Sequence, residues 1–149
     1  MPILWLSQDQ FSEDLLLFVR EYNAAGFAEP IPVPSIHQIA AAAAAIVAVN
    51  EPVFGRQRFR SLHTKCAAAF YELAKRHFFV NGNKRIATYF LLHLLELNGY
   101  TLRVLPVRLA LFVERVAASR VADRERILTT TAAFVRRHVV ELSAWRSGS

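Results

Sequence analysis

The chemistry in this chain is concentrated in one contiguous run, His77-Phe78-Phe79-Val80-Asn81-Gly82-Asn83-Lys84-Arg85. Histidine is the side chain whose ordinary pKa lets it take a proton near neutral pH, so His77 is a candidate general base. A short distance on, glycine and asparagine are followed by two cations. Upstream, Leu62, Ala69 and Leu73 recur at helical spacing up to Arg76. Downstream, Ile86, Tyr89, Phe90, Leu94 and Leu97 do the same until Asn98-Gly99, a helix stop. The run is therefore expected as a turn between two apolar helices, aiming the first backbone N–H groups of the second helix at one spot. There Gly82 lets a ligand approach, and Lys84 and Arg85 add positive charge. A base beside an anion cradle points to group transfer from a nucleotide. The plainer alternatives are a helix-terminal histidine and solvated cations, although a cation in a first helical turn is unfavourable without an anion to face.

The flanking elements read as nearly all helix. Ser7-Gln8-Asp9-Gln10 has the form of a capping box, and Phe11, Leu15, Phe18, Val19 and Tyr22 line one face of a first helix. The alternate prolines 30, 32 and 34 force an extended connection. Ser35-Ile36-His37-Gln38 repeats the capping signal before a helix rich in alanine. Phe54, Gly55 and Arg56 fall in a turn after Asn50-Glu51-Pro52 and are candidates for a flap over the central turn. Arg56, Arg58 and Arg60 also place three charges just before the third helix, where the helix dipole disfavours them. The fourth helix, apolar around most of its circumference, is expected to be the most buried. Pro106 stands at a first helical position of a fifth, Asp123 is placed to cap a sixth, and the tail from Arg146 is expected to fray. The fold class is all-α, a single-domain bundle of about six helices spanning 1–149.

Composition bounds the function. At 149 residues, 54% hydrophobic, the chain suffices for one domain with a real core. Its apolar runs stop short of a bilayer span, and no basic region followed by an apolar core opens it, so neither membrane insertion nor export is expected. A single cysteine, Cys66, fits a reducing cytoplasm and is most simply a buried packing residue. A net charge of +6 favours acidic partners without choosing among nucleotide, nucleic acid and acidic protein.

The run from His77 to Arg85 resembles the signature of the Fic/Doc superfamily in its Doc (death on curing) form, His-x-Phe-x-Asp/Asn-Gly/Ala-Asn-Lys-Arg, and Asn98-Gly99-Tyr100 resembles the end of the helix that follows it. The resemblance implies transfer of part of a nucleoside triphosphate to a protein hydroxyl. Members with Gly-Asn-Gly-Arg commonly transfer adenylate, whereas the Doc toxin transfers the terminal phosphate of ATP to a threonine of elongation factor Tu. Lys84 occupies the discriminating position, which implies a reversed triphosphate. Carried over by position, His77 would be the general base, Gly82 and Asn83 the backbone cradle, Lys84 and Arg85 the phosphate ligands, and Phe79 the anchor of the turn. Asn81 stands where many members have an acidic residue that helps hold magnesium, and a neutral amide is a weaker ligand for Mg2+. No internal Ser/Thr-x-x-x-Glu inhibitory segment is visible, so restraint of a toxin would come from a separate antitoxin. Adenylate transfer, a non-catalytic nucleotide- or partner-binding member, and a nucleic-acid binder stay open. The last is weakened by the lack of a recognition or stacking motif.

Overall fold

Residues 2–146 of the chain are described by a computed structural model. Among them run α1 (Gln8–Ala24), α2 (Ile36–Val49), α3 (Leu62–Lys75), α4 (Asn83–Leu97), β1 (Tyr100–Leu102), α5 (Pro106–Ala118), a 3-10 turn (Val121–Asp123), α6 (Arg124–His138), β2 (Val139–Glu141) and α7 (Leu142–Arg146). The fold is all-α with one small sheet, and no described helix is long and apolar enough to cross a membrane. The tail expected to fray lies, beyond Arg146, outside the described residues.

Helix starts follow local chemistry. The Ser7 hydroxyl accepts from the Gln10 amide at 3.2 Å while Gln10 Oε1 accepts from the Ser7 amide at 2.9 Å, and Ser35 with Gln38 repeats both distances. Each cap contributes about 1 kcal/mol. Pro106 opens α5, as its missing donor allows. Asp123 precedes α6 but does not cap it; its carboxylate is drawn to Arg120 Nε at 3.2 Å and Arg126 Nη2 at 3.4 Å. The arginines before α3 lie outside its first turn. Arg58 reaches back to the Ala48 carbonyl at 2.8 Å, near the end of α2, where the helix dipole favours a cation.

The most buried element is α3, not α4. Nine of its fourteen residues are buried, against six of fifteen in α4. Cys66, Ala67, Ala68, Ala69 and Ala74 keep α3 slim, so α2, α4, α5 and α6 all close on it. Apolar content ranks α4 first, but burial depends on how near the neighbours can come. Burial pushes the Cys66 thiol up to about 12. A thiol alkylating reagent at pH 8 is therefore expected to leave Cys66 unmodified in the folded chain and to label it in denaturant, as mass spectrometry would read.

Sheet and asparagines tie the ends. Strand β1 pairs antiparallel with β2, Tyr100 opposite Glu141 and Leu102 opposite Val139, which no alternation announces because each strand is three residues long. The Asn98 side chain, at the end of α4, accepts from the Leu4 amide at 2.7 Å and donates to its carbonyl at 3.0 Å. Asn23 grips Ile31 in the same two-point way, at 2.7 and 2.8 Å. That grip holds the proline-rich connection with Ile31 buried, against the turn described next.

Candidate active site

The site begins where α3 ends. Lys75, in its last turn, donates at 3.1 Å to the Ala117 carbonyl and also to that of Ser119, tying the end of α5 to the end of α3. Two residues later the backbone of His77 enters the left-handed region at φ 49°, a conformation that costs an L-residue about 1–2 kcal/mol. Left-handed residues terminate helices, though glycine is the usual occupant. The cost here turns an exposed imidazole into a cleft of about 510 Å³ that also takes in Asn81 to Arg85, Glu114 and Ala117. Among the described residues nothing hydrogen-bonds the imidazole, so both ring nitrogens are open to a substrate.

Between His77 and α4 the turn is fastened by Asn83 and by one buried side chain, Phe79. Asn83 Oδ1 accepts from the Phe79 amide at 3.1 Å and its Nδ2 donates to the Phe79 carbonyl at 2.9 Å. Phe79 is buried, while Val80 next to it is 79% exposed. The Asn83 side chain is thus a staple, and what it offers a ligand is its backbone amide. Asn83→Ala is expected to lower stability by about 1–2 kcal/mol, the loss of two part-buried hydrogen bonds, measured by urea titration. Anion binding in the cleft is expected to weaken further than the shift in unfolded fraction explains, because the loosened turn is the cradle itself.

Gly82 is glycine for an internal reason. Its φ is 83°, and a Cβ there would come within 2.9 Å of Ile31 Cγ1. The space expected to admit a ligand at its Cα is filled by the protein. Its amide donates to Asn81 Oδ1 at 2.7 Å. The next three amides, of Asn83, Lys84 and Arg85, have no acceptor among the described residues: no side chain caps α4, and its first internal bond is Ile86 N–H to Gly82 C=O at 2.9 Å. Open first-turn N–H groups at the positive end of a fifteen-residue helix make an anion site.

Two cations flank those amides, and both are engaged. Lys84 Nζ sits 2.6 Å from Glu114 Oε1 on α5, an ion pair about half exposed on each side. Arg85 donates to the Tyr22 hydroxyl at 2.8 Å and to the Glu29 carbonyl at 2.5 Å, with its guanidinium over the Tyr22 ring at 5.0 Å. A weaker contact at 3.5 Å reaches Asn81 Oδ1. Arg85 therefore presents a preset charge, and Lys84 one that an incoming phosphate must share with Glu114. Glu114, Tyr22 and Glu29 carry no local sequence signal for this role.

The flap candidates lie elsewhere. Val53 and Arg56 exchange backbone bonds of 2.8 and 3.0 Å around Phe54 and Gly55, whose φ of 50° and 77° form a tight primed turn. Phe54 is fully exposed at its tip. None of Phe54, Gly55 and Arg56 lines the cleft. Asn81 does not fit a magnesium ligand as it stands, since its neutral oxygen already accepts from Gly82. No cluster of three His, Cys, Asp or Glu suited to a metal ion occurs among the described residues.

Comparison with curated proteins yields no match. Residues 29–95 match the Fic/DOC family, a segment that runs from the proline-rich connection through α2, α3 and the His77–Arg85 turn to near the end of α4. Over these residues the chain carries a Fic/DOC family segment, and members of that family are generally transferases acting on protein hydroxyls.

Proposed function

We propose that this chain transfers the terminal phosphate of ATP to a serine or threonine hydroxyl of a protein, as a Doc-like toxin. Elongation factor Tu is the model target, and a separate antitoxin is the restraint. One observation carries the reading: an unengaged imidazole and three unpaired first-turn amides line one cleft, with Lys84 rather than a small residue beside them. In the proposed step a ring nitrogen of His77 takes the hydroxyl proton as that oxygen attacks the γ-phosphorus. The bond to the β,γ-bridging oxygen breaks, and ADP leaves with the electron pair. The amides of Asn83, Lys84 and Arg85, with the charge of Arg85, offset the negative charge spread over the phosphoryl oxygens. Any magnesium arriving with ATP would be held by phosphate oxygens and water.

The reading is tested by incubating the chain with lysate and ATP labelled at the α or the γ position. Label from γ on a protein, lost in His77→Ala, supports it. Label from α instead assigns adenylate transfer, and ATP binding without transfer from either position assigns a non-catalytic member. The ion pair adds a signed prediction. Glu114→Gln releases Lys84 and is expected to lower the KM for ATP by about two- to fivefold, the modest effect proper to an exposed pair.

A further inference from the structure

Part of the chain's surplus positive charge lies on a surface that phosphate transfer does not use. A groove of about 320 Å³ runs between α5 and α6. Arg108 and Arg115 stand on its α5 side, seven residues or roughly 10.5 Å apart along the helix, and Arg137 faces them from α6. No acidic side chain lines it, and among the described residues none of these three arginines has an ion-pair partner. Of the neighbouring arginines, Arg120, Arg124 and Arg126 meet carboxylates, while Arg136 has no ion-pair partner among the described residues. The helix dipoles favour Arg115 and Arg137, each in the last turn of its helix, but the three exposed like charges still repel across the groove, and an anionic occupant relieves that repulsion.

The floor selects among anions. Leu111 lies between the two α5 arginines and is 60% exposed, and the Phe112 and Phe134 rings stack face to face at 4.0 Å. Those aromatic faces are spent on each other, whereas single-stranded nucleic acid needs open faces on which to lay bases. A leucine set among arginines instead matches a ligand that brings apolar side chains and carboxylates together. Glutamates seven residues apart on a helix repeat the spacing of Arg108 and Arg115.

We propose that the α5–α6 groove docks an acidic amphipathic helical segment of a partner protein, with carboxylates on Arg108, Arg115 and Arg137 and apolar side chains on Leu111. The arginines give orientation and speed of encounter, and the leucine gives the dry contact. This surface does not depend on the His77 chemistry.

The test uses the intact chain and a fluorescent helix-forming peptide with glutamates seven residues apart and leucines on the same face, followed by anisotropy at low and moderate salt. Saturable binding is expected, weakened about tenfold or more both by Arg108→Glu with Arg115→Glu and by replacing the peptide's glutamates with glutamine. Leu111→Ser is expected to weaken it at all salt concentrations. Circular dichroism of the variants, whose changes are all on exposed side chains, verifies the fold. Undiminished binding by the charge-reversed variant overturns the proposal, as does failure of the peptide to bind. So does a preference of the intact chain for a single-stranded oligonucleotide or phosphatidylserine vesicles. Loss of phosphate transfer in His77→Ala has no bearing on any of these outcomes.

Discussion

His77→Ala is expected to reduce transfer of the γ-phosphate to a protein hydroxyl by about 10²–10⁴-fold, the contribution of a positioned general base, while the protein stays folded. The side chain is exposed and holds no internal hydrogen bond, so its removal opens no cavity and leaves no buried group unpaired. Single-turnover assays with γ-labelled ATP give the first number and thermal unfolding the second. His77→Gly sharpens the test because the two readouts move in opposite directions. At φ 49° glycine relieves about 1–2 kcal/mol of left-handed strain but adds back about 0.5–1 kcal/mol of unfolded-chain entropy. The glycine variant is expected to be inactive and up to about 1 kcal/mol more stable than the parent, a gain of a few degrees in Tm. A glycine variant that is less stable would mean that the histidine side chain holds the turn, and that its left-handed backbone is not a concession to function.

Gly82→Ala carries the second large effect. The new methyl meets Ile31 Cγ1 at 2.9 Å and Cγ2 at 3.0 Å, on a backbone already at φ 83°. Overpacking costs about 1–3 kcal/mol and the left-handed conformation about 1–2 kcal/mol, so a loss of roughly 2–5 kcal/mol is expected by chemical denaturation. Ile31 cannot simply step aside, because Asn23 binds both its amide and its carbonyl. In an Ile31→Ala background the clash disappears, and the additional cost of Gly82→Ala is expected to shrink to the conformational part, about 1–2 kcal/mol. Equal costs in both backgrounds would show that the contact with Ile31 is not what keeps this position small. Activity at the single site should fall with stability, since any relief of the clash moves the start of α4 and with it the three open amides.

These residues also mark how far the sequence could be read. Ser7 with Gln10, Ser35 with Gln38, and Pro106 act on neighbours within one turn, so their consequences are visible in a linear string. The His77–Arg85 motif was legible for the same reason. What escaped depends on pairs far apart in the chain: Ile31 with Gly82, Lys84 with Glu114, Asn98 with Leu4, and the strand residues Thr101 and Val140. Glycine at position 82 reads as room for a ligand because a string of letters does not show that an isoleucine fifty-one residues earlier fills that room. The rank of α3 over α4 is hidden in the sequence because alanine is only weakly apolar, yet it is the residue that lets four other helices approach.

Strand pairing between Tyr100–Leu102 and Val139–Glu141, together with the grip of Asn98 on Leu4, gathers the first and the last described segments at the end of α4 away from His77. A fifteen-residue helix is about 22 Å long, and that length separates the gathering point from the cradle. An affinity handle, a fluorophore or a surface tether joined at either of these segments would therefore leave the cleft facing open solution, and two dyes placed there would report on the sheet while leaving the cleft untouched.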